Sequence, residues 1–233
     1  MILAVIPARG GSKRISRKNI KLFAGRPILA WSISAAVRSN CFDRVLVSTE
    51  DAEIAEVARA CGAETPFIRP MELADDYTGT IPVIAHAINW EIEHGNRPTA
   101  VCCIYATAPL LLPNDLSRGL KVLQEEQCDY AFGVTSYAFP IHRALRVTAD
   151  SRIEMFSPQY QGTRSQDLET AWHDAGQFYW GRADAWLNAR PIFSKFAAPV
   201  FLPRHRVQDI DTPEDWERAE WLFQLQRSID NSE

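Results

Sequence analysis

The chain has 233 residues, 46% of them hydrophobic, and a formal net charge of −4. This length and apolar content allow one sizeable core, so one domain over residues 1–233 is expected, and the acidic balance argues against general binding to nucleic acid or an anionic membrane. The apolar run Ile2 to Ile6 is too short for a signal-peptide core or a membrane span, and no later run is long enough.

Strand and helix patterns then alternate. "ILAVI" is a continuous apolar run closed by Pro7, the pattern of a strand buried on both faces. "RPILAWSISAAVRS" carries apolar residues at helical spacing with Pro27 in the first turn. "RVLVST" predicts a second strand, and "EDAEIAEVARACG" a helix closing on Gly62. "ETPFI" reads as a strand and "TIPVIAHAINWEIEHG" as a helix ending on Gly95. "AVCCIYAT", "LPNDLSRGLKVLQEE" and "YAFGVTS" repeat the order strand, helix, strand. Such units imply an α/β fold of three layers, a mostly parallel sheet flanked by helices. Periodicity fades over about 139–169, which reads as an inserted arm. "RVQDIDT" predicts a last short strand, and "PEDWERAEWLFQLQRS" a helix with Thr212 at its N-cap. The five cysteines (Cys41, Cys61, Cys102, Cys103 and Cys128) show no CxxC or CxH spacing, which predicts reduced thiols and a cytoplasmic setting.

Charge is distributed unevenly. No Asp or Glu precedes Asp43, whereas eight Arg or Lys do, and five of these lie in "PARGGSKRISRKN", residues 7–19. This loop leaves the first strand at its carboxyl end, where open α/β sheets bind ligands. Gly10 and Gly11 are expected to permit unusual backbone conformations and a close approach of main-chain N–H groups to an anion. Arg9, Lys13 and Lys18 would neutralise phosphate charge, which makes the loop a triphosphate cradle. The letters do not fit a Walker loop or a GxGxxG fingerprint, and a solvated basic loop is the alternative. Near the other end, "DID" spaces Asp209 and Asp211 two apart. On a strand both carboxylates would share a face and could hold one Mg²⁺; otherwise Asp211 serves the N-terminus of the helix that follows.

The loop "IPARGGSKRISRKN" resembles the signature of the cytidylyltransferases that activate acidic sugars, the CMP-sialate synthetase family. "VLVSTED", "RPMELADDYTGT", "YATAPL" and "QDIDTPEDW" follow in the family's order, so the resemblance covers residues 1 to about 221. "RSQDLETAWHDAGQFYWG" is most similar to the members that handle pseudaminic acid. Sialate synthetases tend to carry QPTSP where this chain has Tyr105 to Pro109, and an Asn–Gly pair in place of "HDAG"; Ser16 stands where the family often has proline.

The resemblance implies transfer of CMP from CTP to a nonulosonic acid, with Mg²⁺ on Asp209 and Asp211 and a homodimer joined through the arm. It implies a nucleotide site of Ala8, Arg9, Gly10, Gly11, Ser12, Lys13, Lys18, Asn19, Arg69, Thr80 and Thr107, with the base against Arg69 and Thr80. Arg9, Lys13, Lys18 and Asp211 would act in the chemistry. The sugar is an acid, so Arg143 or Arg164 should meet its carboxylate; Gln166, His173, Asp174 and Gln177 would bind its other polar groups. His173 beside Asp174 also reads as a turn pair, His86 as packing, and Trp216 and Trp221 as core or interface. Activation of another nonulosonic or a 3-deoxy-octulosonic acid is the nearest alternative function. A catalytically silent nucleotide binder is a more distant one.

Overall fold

The computed structural model describes residues 1–230. β1 (Ile2–Pro7) is followed by the small pair β2 (Leu22–Phe23) and β3 (Arg26–Pro27), then α1 (Ile28–Ser39), β4 (Arg44–Ser48) and α2 (Ala52–Ala60). Next come α3 (Thr80–Glu93), β5 (Ala100–Ile104), α4 (Pro113–Glu125) and β6 (Tyr130–Ser136). The short β7 (Leu145–Val147) and β8 (Ile153–Met155) precede β9 (Trp172–Arg182), α5 (Ala183–Leu187), β10 (Ala197–Phe201) and α6 (Pro213–Asp230).

Six strands form the main sheet in the order β10-β6-β9-β5-β1-β4. β1 pairs in parallel with β4 and β5, and β10 in parallel with β6. β9 runs antiparallel between β5 and β6. Leu3 to Ile6 and Val101 to Ile104 are fully buried because helices cover both faces of the sheet. Two apolar clusters fill the space above and below it, and a third, built on Phe23, Ile210, Trp216 and Phe223, seats α6. All five cysteines are free thiols. Among the described residues no helix is long and apolar enough to cross a membrane.

Two sequence-based expectations need correction, and three elements were not anticipated. "ETPFI" forms only a single bridge, Leu46 to Glu64, since Pro66 has no N–H to extend a ladder. "RVQDIDT" is not a strand: a 3-10 turn at Arg204–Arg206 leads into unpaired backbone. β9, α5 and β10 carry no strand or helix expectation at all. Trp216 is core, whereas Trp221 is 66% exposed and belongs to no core.

The segment 139–169 stands off the sheet, with the β7–β8 hairpin and short 3-10 turns. Phe139, Val147, Ile153 and Phe156 on it are all exposed.

Candidate active site

The chain leaves β1 for β4 on one side and later reaches β5 on the other, so the carboxyl end of β1 is a topological switch point. A cavity of about 360 Å³ opens there. It is lined by Arg9, Ser12, Lys13, Lys18 and Asn19 from the basic loop, Arg69 and Thr80 before and at the start of α3, and Thr107 beyond β5. Eight of the eleven expected nucleotide-binding residues therefore come together. Ala8 lies behind the wall, its N–H on Ser48 O at 3.0 Å.

The two glycines act differently from expectation. Neither has a positive φ. The Gly10 N–H is already spent, donating to Glu50 Oε1 at 2.7 Å. Glu50 Oε2 accepts from Arg69 Nη2 at 2.5 Å, and Arg69 is only 3% exposed. Glu50, absent from the sequence expectations, thus joins the basic loop to the segment before α3. What Gly10 supplies is smallness: a Cβ would press into Asp51 Oδ2. Gly11 has open space beside it, and its N–H makes no hydrogen bond among the described residues.

Asp76 occupies the cations of the cradle. It accepts from Arg9 Nη1 at 2.5 Å and from Lys13 Nζ, and the Lys13 hydrogen bond, ahead of that from Arg9, holds its carboxyl below the ordinary range. Arg9 also donates to Asp75 O at 3.0 Å. Asn19 Nδ2 fixes the loop by donating to Arg9 O at 2.9 Å. Thr80 Oγ1 and Tyr105 Oη are hydrogen-bonded at 3.3 Å.

Asp209 and Asp211 reach the site without a strand. Ile210 between them is fully buried under α6, and Lys18 Nζ donates to its carbonyl at 2.6 Å. With Ile210 plugged into the core, its two neighbours face the other way, toward the cleft. The approach is anchored by Arg206, which donates to buried Asp115 at 2.5 and 3.2 Å. Asp211 pairs with Arg14 at 3.0 Å and Lys18 at 3.5 Å. Asp209 stays open to the cleft, yet protein atoms crowd out much of its water. That desolvation, and then the charge of Asp211, raises its carboxyl above the usual range. The N-terminus of α6 is capped by Thr212 and Asp215, which accepts from Thr212 N at 2.8 Å and Asp211 N at 3.2 Å. Asp211 is therefore not needed as the cap.

A second cavity, about 460 Å³, adjoins the first, and Asp211 lines both. Its wall carries His173, Asp174, Asp209, Arg204 and Arg218. The local cause is an irregularity in β9: Phe132 faces Tyr179 but Val134 faces Asp174, so β9 holds extra residues around Gly176, at φ +62°. This bulge folds back so that Asp174 accepts from Gly176 N at 2.9 Å and from Tyr179 Oη. "HDAG" is thereby turned toward Asp209. Arg204 and Arg218 make no ion pair among the described residues. Sequence reasoning missed both, although "PRHRVQ" beside "DID" was a basic cluster that could have signalled Arg204.

The remaining sugar-site expectations are not met within one chain. Arg143 donates to Ser165 Oγ at 3.3 Å and Arg164 to Asp167 at 2.7 Å, both in the arm and outside the two cavities, as is Gln166. Gln177 is 2% exposed and braces Arg206 O at 2.5 Å, so it supports the wall from behind. His86 is packed edge-on to Phe67, and burial lowers its pKa.

Hard carboxylate oxygens on Asp209 and Asp211, the first with its charged form disfavoured by desolvation and by its neighbour's charge, fit a divalent cation. No group of three His, Cys, Asp or Glu gathers as a cage among the described residues. Most coordination positions would be left to phosphate oxygens and water, the usual habit of Mg²⁺.

A mostly parallel sheet whose switch point gathers cations on one wall and two carboxylates on the other fits a nucleotidyltransferase. The chain belongs to the cytidylyltransferase family, whose model matches residues 3–229. Its relatives include the pseudaminic acid cytidylyltransferase of Campylobacter jejuni, 42% identical over 96% of each chain. The CMP-N,N'-diacetyllegionaminic acid synthase of Legionella pneumophila is 29% identical, covering 96% of this chain and 97% of its own. Among solved structures, CMP:2-keto-3-deoxy-manno-octonic acid synthetase complexed with CTP superposes with a TM-score of 0.71 at 16% identity. That match covers 97% of this chain and 99% of the other and shows the shared fold.

Proposed function

We propose that the chain, acting as one catalytic domain, transfers CMP from CTP to the anomeric hydroxyl of pseudaminic acid. The observation that carries this reading is the meeting of two cavities at Asp211, one walled by cations and one open to a polar acceptor. The close relation to a pseudaminic acid cytidylyltransferase supports the choice of sugar. The anomeric hydroxyl oxygen attacks the α-phosphorus and gives up its proton to water, the bond from the α-phosphorus to the bridging oxygen of the β-phosphate breaks, and pyrophosphate leaves. Arg9, Lys13 and Lys18 hold the triphosphate, which requires Asp76 to release the first two. Arg69, clamped by Glu50, and Thr80 border the base, and Asn19 keeps the loop in shape. Mg²⁺ on Asp209 and Asp211 would supply positive charge against the phosphate oxygens. The protein's work is chiefly positioning and charge neutralisation.

Arg204 and Arg218 are the guanidiniums available to the sugar carboxylate within one chain. Arg143 and Arg164 would have to arrive from a second copy. A homodimer through the arm fits its exposed apolar residues, Phe139 being 83% exposed. Light scattering should then give about twice the 26.3 kDa chain mass; a monomer would remove the arm arginines from the acceptor site. The decisive assay is pyrophosphate release from CTP with a panel of nonulosonic acids. Pseudaminic acid should turn over fastest; a clear preference for a legionaminic or octulosonic acid would reassign the acceptor.

A further inference from the structure

A third cavity, about 530 Å³, lies apart from both clefts, between the β2–β3 turn, α1, the start of α4 and the last turns of α6. Its wall contains three arginines, Arg26, Arg38 and Arg227, and no carboxylate. None of the three makes an ion pair or a side-chain hydrogen bond among the described residues. Two lie over aromatic rings: Arg26 Cζ is 4.8 Å from the Trp31 ring centroid and Arg227 Cζ 5.9 Å from that of Phe223. The rings themselves are fixed, with centroids 4.6 Å apart and Trp31 Nε1 donating to Phe23 O at 2.9 Å. A guanidinium over a ring, with no carboxylate partner, still has its N–H groups to fork onto an anion.

Gln226 adds a second requirement. It is 9% exposed, and its Oε1 is buried with no hydrogen-bond partner. An orphaned acceptor at the wall of a cavity asks for a donor from an occupant. Leu111, Leu112 and Pro113 supply an apolar side. The occupant thus carries more than one negative charge, at least one N–H or O–H donor and a flat apolar face, in a volume typical of small-ligand sites.

We propose that this cavity is a second, non-catalytic nucleotide site, taking a nucleoside diphosphate with its phosphates on Arg26, Arg38 and Arg227 and its nucleoside toward Gln226. The loop after β5 contributes Thr107 to the triphosphate cleft and Pro109 to this cavity, so the two sites share a connecting element. The proposal does not depend on which acid sugar is the acceptor.

The test is equilibrium dialysis of CDP, UDP, GDP and ADP against the full chain, as wild type, Lys18→Ala, Arg26→Ala/Arg38→Ala and Gln226→Leu. Melting of each variant without nucleotide verifies folding. At least one diphosphate should bind Lys18→Ala protein at about one equivalent per chain. Affinity should fall about 10-fold or more in the arginine double variant, and about 3- to 10-fold in Gln226→Leu, as loss of charge-assisted and neutral hydrogen bonds predicts. Three results would each overturn the proposal: no diphosphate binding to Lys18→Ala protein, binding indifferent to Arg26 and Arg38, or equally tight binding of inorganic pyrophosphate. Pyrophosphate release from CTP and pseudaminic acid, measured separately on Arg26→Ala/Arg38→Ala, keeps this outcome distinct from the catalytic assignment.

Discussion

Gly10→Ala tests whether a glycine of the basic loop serves packing and not the ligand. The added Cβ would overlap Asp51 Oδ2 and stand 3.2 Å from Asp51 Cγ and 3.3 Å from Arg17 Nη1. Asp51 cannot yield cheaply. It caps α2, accepting from Ile54 N at 3.0 Å, and holds both terminal nitrogens of Arg17. Losing the cap costs about 0.5–2 kcal/mol, and loosening the Arg17 pair, which is about one-third exposed, up to about 1 kcal/mol. Because one side chain carries both, the expected loss is about 1–3 kcal/mol in urea unfolding, with the m-value unchanged. In an Asp51→Ala background the obstruction is gone, and Gly10→Ala should cost less than about 0.5 kcal/mol. Equal cost in both backgrounds would show that Asp51 is not what makes position 10 a glycine.

Asp211→Asn should leave melting nearly unchanged, since Thr212 and Asp215 cap α6, while pyrophosphate release falls about 10²-fold or more, with partial recovery at higher Mg²⁺. Normal turnover would remove Asp211 from the chemistry. Asp76→Ala should free Arg9 and Lys13 and tighten CTP binding about 2- to 5-fold in calorimetry; weaker binding would mean that Asp76 contributes to the bound state. Asp51 is held below its ordinary range, first by the Arg17 hydrogen bond, so its stabilising contribution is complete above about pH 4 and lost as pH falls through the folded value. The melting deficit of Asp51→Asn should therefore shrink below about pH 4, and a deficit constant from pH 7 to pH 3 would contradict the pairing.

Strands buried on both faces announce themselves as apolar runs, which is why β1, β4, β5 and β6 were legible. β9 was not. Its first half, "WHDAG", lies at the bulge that faces the second cavity, so polar residues interrupt any period. "RVQDIDT" misled for the opposite reason. Alternation there comes from one buried isoleucine flanked by aspartates, and no strand pairs with it among the described residues. The cations that line the first cavity were legible because their charges cluster in sequence. Arg204, Arg218 and Glu50 were not, because tertiary contacts alone bring them to the site. Gln177 looked like a ligand residue by its place in a motif, yet the bulge turns it inward under Arg206.

The position of β9 has a consequence for synthesis. Ile104 at the end of β5 pairs with Phe178, and Tyr130 at the start of β6 with Gly181, so neither strand has its inner neighbour until residue 182 has emerged. On a ribosome adding about 5–20 residues per second, the nascent β4-β1-β5 unit shows an unpaired apolar border for several seconds. The basic loop and the segment before α3 lie on that early half; the wall of the second cavity, and Asp211 shared by both, come only with or after the late strand. A stop or a severe kink introduced into β9 should accordingly yield sticky, chaperone-bound chains that retain the basic loop, and not a smaller working enzyme.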